Sequence, residues 1–262
     1  MLLWLGYAGL GIVAGVLAGL FGVGGGTIIV PALLLAFSWQ SVDPALHMHL
    51  AVGTSLASIV MTSVSSTWQH HQQAAVRWPL VWWLVPGLAL GVWLGADIAA
   101  ALSGAQLKRL FGVFALLVAL QMGAGWQPAA VRALPGRWVL VCAGGVIGLV
   151  SAFFGIGGGA LTVPFLVACR VRMQEAVATA AACGFPIALG GALAYVWQGW
   201  DVATLPVHSA GFVYGPAWLG IAVTSIPAAR FGARLAHRWD PLKLKRAFAL
   251  FLLLVGVMFL LC

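Results

Sequence analysis

A twelve-residue segment occurs twice, and its form limits what the chain can fold into. Leu20-Phe21-Gly22-Val23-Gly24-Gly25-Gly26-Thr27-Ile28-Ile29-Val30-Pro31 returns as Phe153-Phe154-Gly155-Ile156-Gly157-Gly158-Gly159-Ala160-Leu161-Thr162-Val163-Pro164, displaced by 133 positions (155 − 22; 164 − 31). Each copy follows an apolar run long enough for a membrane helix. A glycine cluster there frees backbone polar groups that lipid cannot satisfy, so the segment belongs in a protein-lined cavity and not against lipid. Glycine allows backbone approaches that other residues forbid, and the closing proline cannot donate a backbone hydrogen bond. Such breaks expose helix N-termini, whose amides and positive dipole end favour an anion. Close helix packing is the competing explanation for a single copy; two copies at corresponding positions favour a broken helix on a substrate pathway.

The composition agrees. Apolar residues make up 63% of the chain and charged residues 7%, against roughly 25% charged in soluble proteins. The apolar runs are unbroken, which excludes the alternating strands of an outer-membrane barrel. We expect an all-α, polytopic helical membrane protein with about eight transmembrane helices. The candidate spans are 2–20, 49–67, 79–101, 107–122, 138–154, 175–197, 211–229 and 244–261. The stretches 27–37 and 160–168 are too short to cross and read as broken or re-entrant segments. The N-terminus, Met1 to Tyr7, lacks the positive region of a cleaved signal peptide and is expected to open the first helix.

The duplication extends past the glycines. Gly95-Ala96 matches Gly232-Ala233, and Leu107-Lys108-Arg109-Leu110-Phe111 matches Leu244-Lys245-Arg246-Ala247-Phe248, both displaced by 137. Ala51-Val52-Gly53-Thr54-Ser55 resembles Ala176-Val177-Ala178-Thr179-Ala180, displaced by 125. Residues 1–122 therefore form a first four-helix repeat, 123–137 a linker and 138–262 a second repeat. If all eight spans cross, one side carries Lys108, Arg109, Arg170, Arg172, Arg230, Arg234, Arg238, Lys243, Lys245 and Arg246. Arg77, Arg132 and Arg137 fall on the other. That imbalance places the first group in the cytoplasm, both termini outside, and the repeats parallel. One re-entrant segment counted as a crossing would make the repeats inverted instead.

Thr54, Ser58, Thr62 and Ser65 recur at helical spacing and share one face, with Ser55 and Ser66 beside it. Such hydroxyls can solvate an ion without a buried charge, or can bond their own helix and its neighbours. Only Thr54 keeps its hydroxyl in the second copy, as Thr179. Asp43, Asp97, Glu175, Asp201 and Asp240 all fall at or near span edges, which argues against a multi-carboxylate cation site. His70 and His71 read as an interfacial polar loop or as a point of proton coupling or substrate capture. Arg170 and Arg172 orient the protein or attract an anion. The net charge of +8 reflects topology, so nucleic acid is not an expected partner. Many of the thirteen tryptophans sit near span ends, as an interfacial belt does. Cys142, Cys169, Cys183 and Cys262 lack paired spacing, and no metal site or cofactor is implied.

Together, the duplicated Gly-Val-Gly-Gly-Gly and Gly-Ile-Gly-Gly-Gly motifs with Pro31 and Pro164, and the 51–55 and 107–111 anchors, resemble the TauE/SafE family over essentially the whole chain. The resemblance implies a bacterial cytoplasmic-membrane transporter, an exporter of sulfite, a sulfonate or another organosulfur anion, and no enzyme. It carries over Gly22, Gly24, Gly25, Gly26, Gly155, Gly157, Gly158 and Gly159 as substrate-binding positions and Pro31 and Pro164 as structural ones. Thr54 and Thr179 match the small polar segment after each motif, and Ser55 and Ser58 join the expected binding set. We expect a small anion and the bilayer as partners, with alternating access around the paired breaks. A coupling proton or sodium ion and a homo-oligomer stay open. The competing classes are a passive anion channel, an integral-membrane enzyme and a scaffold.

Overall fold

A computed structural model describes residues 2–21, 25–40, 42–123, 135–236 and 241–261. Apolar sequence becomes helix throughout. The first half contains α1 (Leu2–Phe21), α2 (Gly26–Ser38), α3 (His47–Gln72), α4 (Trp78–Ala101) and α5 (Gly104–Gly123). The second contains α6 (Arg137–Phe154), α7 (Gly159–Ala168), α8 (Met173–Gln198), α9 (Gly215–Ala236) and α10 (Pro241–Leu261). Each half thus has five helices, the expected four plus the short one begun by the glycine motif. Among the described residues, five helices are long and apolar enough to cross a membrane by length and composition: α3, α4, α5, α6 and α8. At about 1.5 Å per residue, the 13 residues of α2 and 10 of α7 fall short of a hydrocarbon core of about 30 Å. The only strands among the described residues are β1 (Ser209–Ala210) and β2 (Val213–Tyr214). Their hairpin delays α9 to Gly215, four residues past the expected start of the seventh span.

The repeats are inverted. Gly53 of α3 packs on Tyr195 of α8, Leu56 on Gly191, and Ser63 on Gly184. As one number rises the other falls, so these equivalent helices run antiparallel. The reason is local: α1–α2 and α6–α7 are hairpins that return toward the side they came from. Gln40, just after α2, donates a 2.6 Å hydrogen bond to the Tyr7 hydroxyl near the start of α1. The parallel arrangement expected from eight crossings is therefore corrected, because the short helices α2 and α7 return alongside α1 and α6 instead of completing a crossing.

The halves also interlock. α1 lies parallel to α9, with Gly11 against Ile221 and Gly15 against Ser225. α6 lies parallel to α4, with Gly144 against Leu84 and Gly148 against Leu88. The two seams are copies of one another (144 − 11 = 133; 221 − 84 = 137). Carbonyls of the facing helix come so close to these glycines that a Cβ has no room, which is how membrane helices gain dispersion contact without a hydrophobic drive. α5 packs on α10 through Phe111 and Phe259.

Inversion redistributes the charges. α8 starts beside α4, where Arg77 Nε lies 2.8 Å from Glu175, and α9 runs parallel to α3 through Trp218 and Ala57. Arg77, Arg137, Arg170 and Arg172, and the helix ends carrying Arg230, Arg234, Lys243, Lys245 and Arg246, consequently share one face. Lys108 and Arg109 stand at the other face, at the start of α5, where Gly104 abuts Ala45. Arg77 and Arg137 thus join the group they were expected to oppose, and Lys108 and Arg109 leave it. Arg132 and Arg238 lie outside the described residues.

The seams give a direct stability test. In Gly91→Ala the added methyl meets the Gly145 carbonyl, whereas in Gly9→Ala nothing lies within 4 Å. Thermal unfolding in detergent should show Gly91→Ala destabilised by about 1–3 kcal/mol, the usual cost of overpacking, and Gly9→Ala unchanged.

Candidate functional site

α6 ends because Gly155 adopts the left-handed conformation (φ 62°, ψ 32°) that glycine alone enters freely. The Ile156 amide then donates back to the Ser151 carbonyl at 3.1 Å. Ser55 donates to the Gly155 carbonyl at 2.8 Å, and Tyr195 donates to Ala152 at 3.1 Å. Carbonyls exposed by the break are thereby satisfied from α3 and α8. Gly26 presses on Gly155 and Ile156, which brings the start of α2 against the second break.

The two short helices begin deep in the bundle. Gly157 lies against Ile59, midway along α3, and Gly158 against Ala180 and Gly184, near the middle of α8. From there α7 runs toward the basic face, and α2 runs away from it to Phe37, which packs on His47 and Tyr214. Gly25 and Gly158 occupy the N-cap positions, and no side chain caps either helix. The leading amides of two oppositely directed helices therefore converge, each carrying the positive end of a dipole.

They converge at the inner end of a cavity of about 590 Å³. Gly25, Gly157, Gly158 and Gly159 line it, together with Ile59, Gly184 and the hydroxyl-bearing Thr62, Ser63, Ser65 and Ser66 of α3. Ser225 faces it from α9, and Gln69, His70 and Gln73 stand toward its mouth on the basic face. Thr62 and Ser63 bond carbonyls of their own helix, at 3.1 and 2.9 Å, and their protons can swing toward a bound anion. No carboxylate or fixed positive charge stands among the lining residues. Three further hydroxyls, Thr27 Oγ1, Ser151 Oγ and Thr162 Oγ1, flank the breaks, buried and without a hydrogen-bond partner. No group of three or more His, Cys, Asp or Glu that could hold a metal occurs among the described residues.

The expected residues fall in different places. Gly25, Gly157, Gly158 and Gly159 reach the cavity, while Gly26 and Gly155 form the close approach behind it. Gly22 and Gly24 lie outside the described residues. Thr54, Ser55, Ser58 and Thr179 are fully buried away from the cavity wall and serve as braces. Thr54 accepts the Tyr214 amide at 2.9 Å, and Thr179 accepts the Arg77 amide at 3.1 Å. These bonds are copies of one another (179 − 54 = 125; 214 − 77 = 137), each tying one half to the chain that enters a helix of the other. Ser58 donates to the Thr54 carbonyl one turn back. Pro31 and Pro164 sit within α2 and α7. The polar lining residues that the sequence alone did not single out are Ser63 and Ser225; the first adjoins the hydroxyl stripe, whereas no pattern marks Ser225.

Comparison with known proteins gives the family. The family model for "Sulfite exporter TauE/SafE" matches residues 7–259. The chain is similar to a "Probable membrane transporter protein" of Haemophilus influenzae, 34% identical over 248 residues that cover 94% of each chain. It is 25% identical over 253 residues to the "Probable membrane transporter protein MJ0441" of Methanocaldococcus jannaschii, covering 96% of this chain and 93% of that one. A broken-helix pair inside an inverted membrane bundle, matched along nearly its whole length, makes this chain a member of the TauE/SafE family of membrane proteins.

Proposed function

We propose that this membrane transporter moves a small anion, such as sulfite, a sulfonate or another organosulfur anion, as a secondary exporter. One observation carries the reading: two uncapped helix N-termini, pointing at each other from opposite directions, end in a cavity with hydroxyls and no carboxylate. Converging amides and dipoles replace the water around an anion and offer nothing comparable to a cation. The relatives' description as transporters supports the same class, and the family's name supports the substrate range.

The opening gives a cytoplasmic anion direct access to the site. The cavity mouth lies on the face rich in Arg and Lys, which the positive-inside rule assigns to the cytoplasm. A cytoplasmic anion would enter past Gln69, Gln73 and His70 and lose its water against Thr62, Ser63 and the amides of Gly157 to Gly159. The two inverted halves then exchange roles to release it outside.

Reconstituted protein should carry sulfite, sulfoacetate or thiosulfate into or out of liposomes with saturation and counterflow. Absence of flux for all three and for chloride would contradict the reading, and flux without saturation or counterflow would make the protein a channel. In Gly157→Ala the methyl enters 3.1 Å from Ile59 at the anion site. Flux should fall about tenfold, equivalent to about 1.4 kcal/mol, with folded yield retained. Thr54→Val should do the reverse. It strands the partly buried Tyr214 amide and costs about 1 kcal/mol of stability, while half-saturation for the anion stays unchanged.

A further inference from the structure

The repeat relation maps the walls of the open cavity onto a region that is filled. Thr62, Ala181, Ser225 and Ala229 line the cavity. Their counterparts in the other half are Ile187, Leu56, Leu88 and Val92 (187 − 62 and 181 − 56 = 125; 225 − 88 and 229 − 92 = 137). All four counterparts are fully buried. Leu56 is wedged against Gly191, with Cδ1 2.8 Å from where a Cβ would stand, and Val92 reaches Gly190 in the same way at 3.6 Å. Small or hydroxylic side chains on one side of the centre thus correspond to large apolar ones on the other.

The same relation holds at the two ends. Around the open mouth, His70, Ala75 and Gln174 border a space of about 440 Å³. Their counterparts are Tyr195, Phe212 and His49 (195 − 70 and 174 − 49 = 125; 212 − 75 = 137). There the space is occupied. The Phe212 ring lies 5.1 Å from the His49 ring and 6.4 Å from the Tyr195 ring, centroid to centroid. The chain holds it in place: the Phe212 amide donates to the Tyr195 carbonyl at 3.1 Å, and His49 Nε2 lies 3.1 Å from the Ala99 carbonyl.

We propose that this filled region is a second vestibule in its closed state, on the face opposite the open one, and that Phe212 is its plug. Leu56 against Gly191 forms the inner seal, and Phe212 seated on His49 and Tyr195 forms the outer one. The assignment rests on the transporter reading and adds to it the location of the far gate. An inverted repeat gives each half the same two arrangements, so the path that is open along one half is the path that is packed along the other. The bulk of Leu56, Val92 and Phe212 relative to Ala181, Ala229 and Ala75 favours closure on this side. The gate opens when the first half of α3 parts from the last half of α8.

Cysteine accessibility tests this without reference to any substrate. In a background with Cys142, Cys169, Cys183 and Cys262 replaced, two probes are reconstituted separately: Ser63→Cys in the open vestibule and Ala188→Cys at its counterpart (188 − 63 = 125). A charged, membrane-impermeant thiosulfonate is applied from one side at a time. Ser63→Cys should react from the basic face, and Ala188→Cys from neither. Adding Phe212→Ala should make Ala188→Cys react from the opposite face about tenfold faster or more, the factor that about 1.4 kcal/mol of lost closed-state stability gives. Ser63→Cys should keep its sidedness and so report an intact bundle; if Phe212→Ala scrambles it, Phe212→Leu carries the same comparison. Equal reaction of Ala188→Cys with Phe212 intact would overturn the proposal. So would its continued silence in a Phe212 variant whose Ser63→Cys labelling is normal. Because labelling needs no flux, a protein that moves none of the anions but shows the gate separates failure of the transport reading from failure of this one.

Discussion

Two helices that begin in the middle of a membrane leave amides that lipid cannot satisfy, and the rest of this bundle is arranged around them. An unsatisfied buried polar group costs about 1–3 kcal/mol, more where no water can reach. The structure meets that constraint by enclosing both starts within protein. Long helices α3 and α8 flank them, Ser55 and Tyr195 satisfy the carbonyls at the end of α6, and the glycine seams α1–α9 and α4–α6 hold the enclosure together. Of the two helix starts, Gly25 and Gly157 to Gly159 are left lining the cavity, with no side chain capping either helix. The cost borne by the fold and the capacity to bind an anion therefore have one origin.

The interlocking of the halves follows from the same constraint. A hairpin that turns back midway cannot be covered by its own half, so its long arm packs along the fourth helix of the other. Thr54 and Thr179 complete the exchange, each accepting an amide from the chain entering the opposite half's helix. A hydroxyl in a low-dielectric interior serves equally as ligand or as brace. Here the geometry makes these two braces and leaves the cavity to Thr62, Ser63, Ser65 and Ser66.

Much of the architecture was legible in the residues. The long apolar runs marked the eight long helices, and the paired glycine motifs marked the two short ones. The family resemblance rested on the same motifs. Repeat orientation was not legible, because it depends on whether residues 2–38 cross or return, and length alone does not decide that for a 20-residue helix followed by a 13-residue one. Nor was the division of the hydroxyl stripe legible. Thr54, Ser58, Thr62 and Ser65 share a helical face, but that face passes from the packed interface with α8 and the 209–214 hairpin into the open cavity, so its two ends do different things. The short hairpin itself has four strand residues and no periodicity long enough to read.

The account stands on an anion bound where the starts of α2 and α7 meet. The most direct measurement is a structure of the reconstituted protein with selenite or bromide, whose electron density distinguishes the ion from water. The account predicts a peak within hydrogen-bonding reach of the Gly157 to Gly159 amides, beside Gly25 and below Thr62 and Ser63. A peak at the Arg170–Arg172 loop with none at the paired breaks, or a cation coordinated at the breaks, would contradict it.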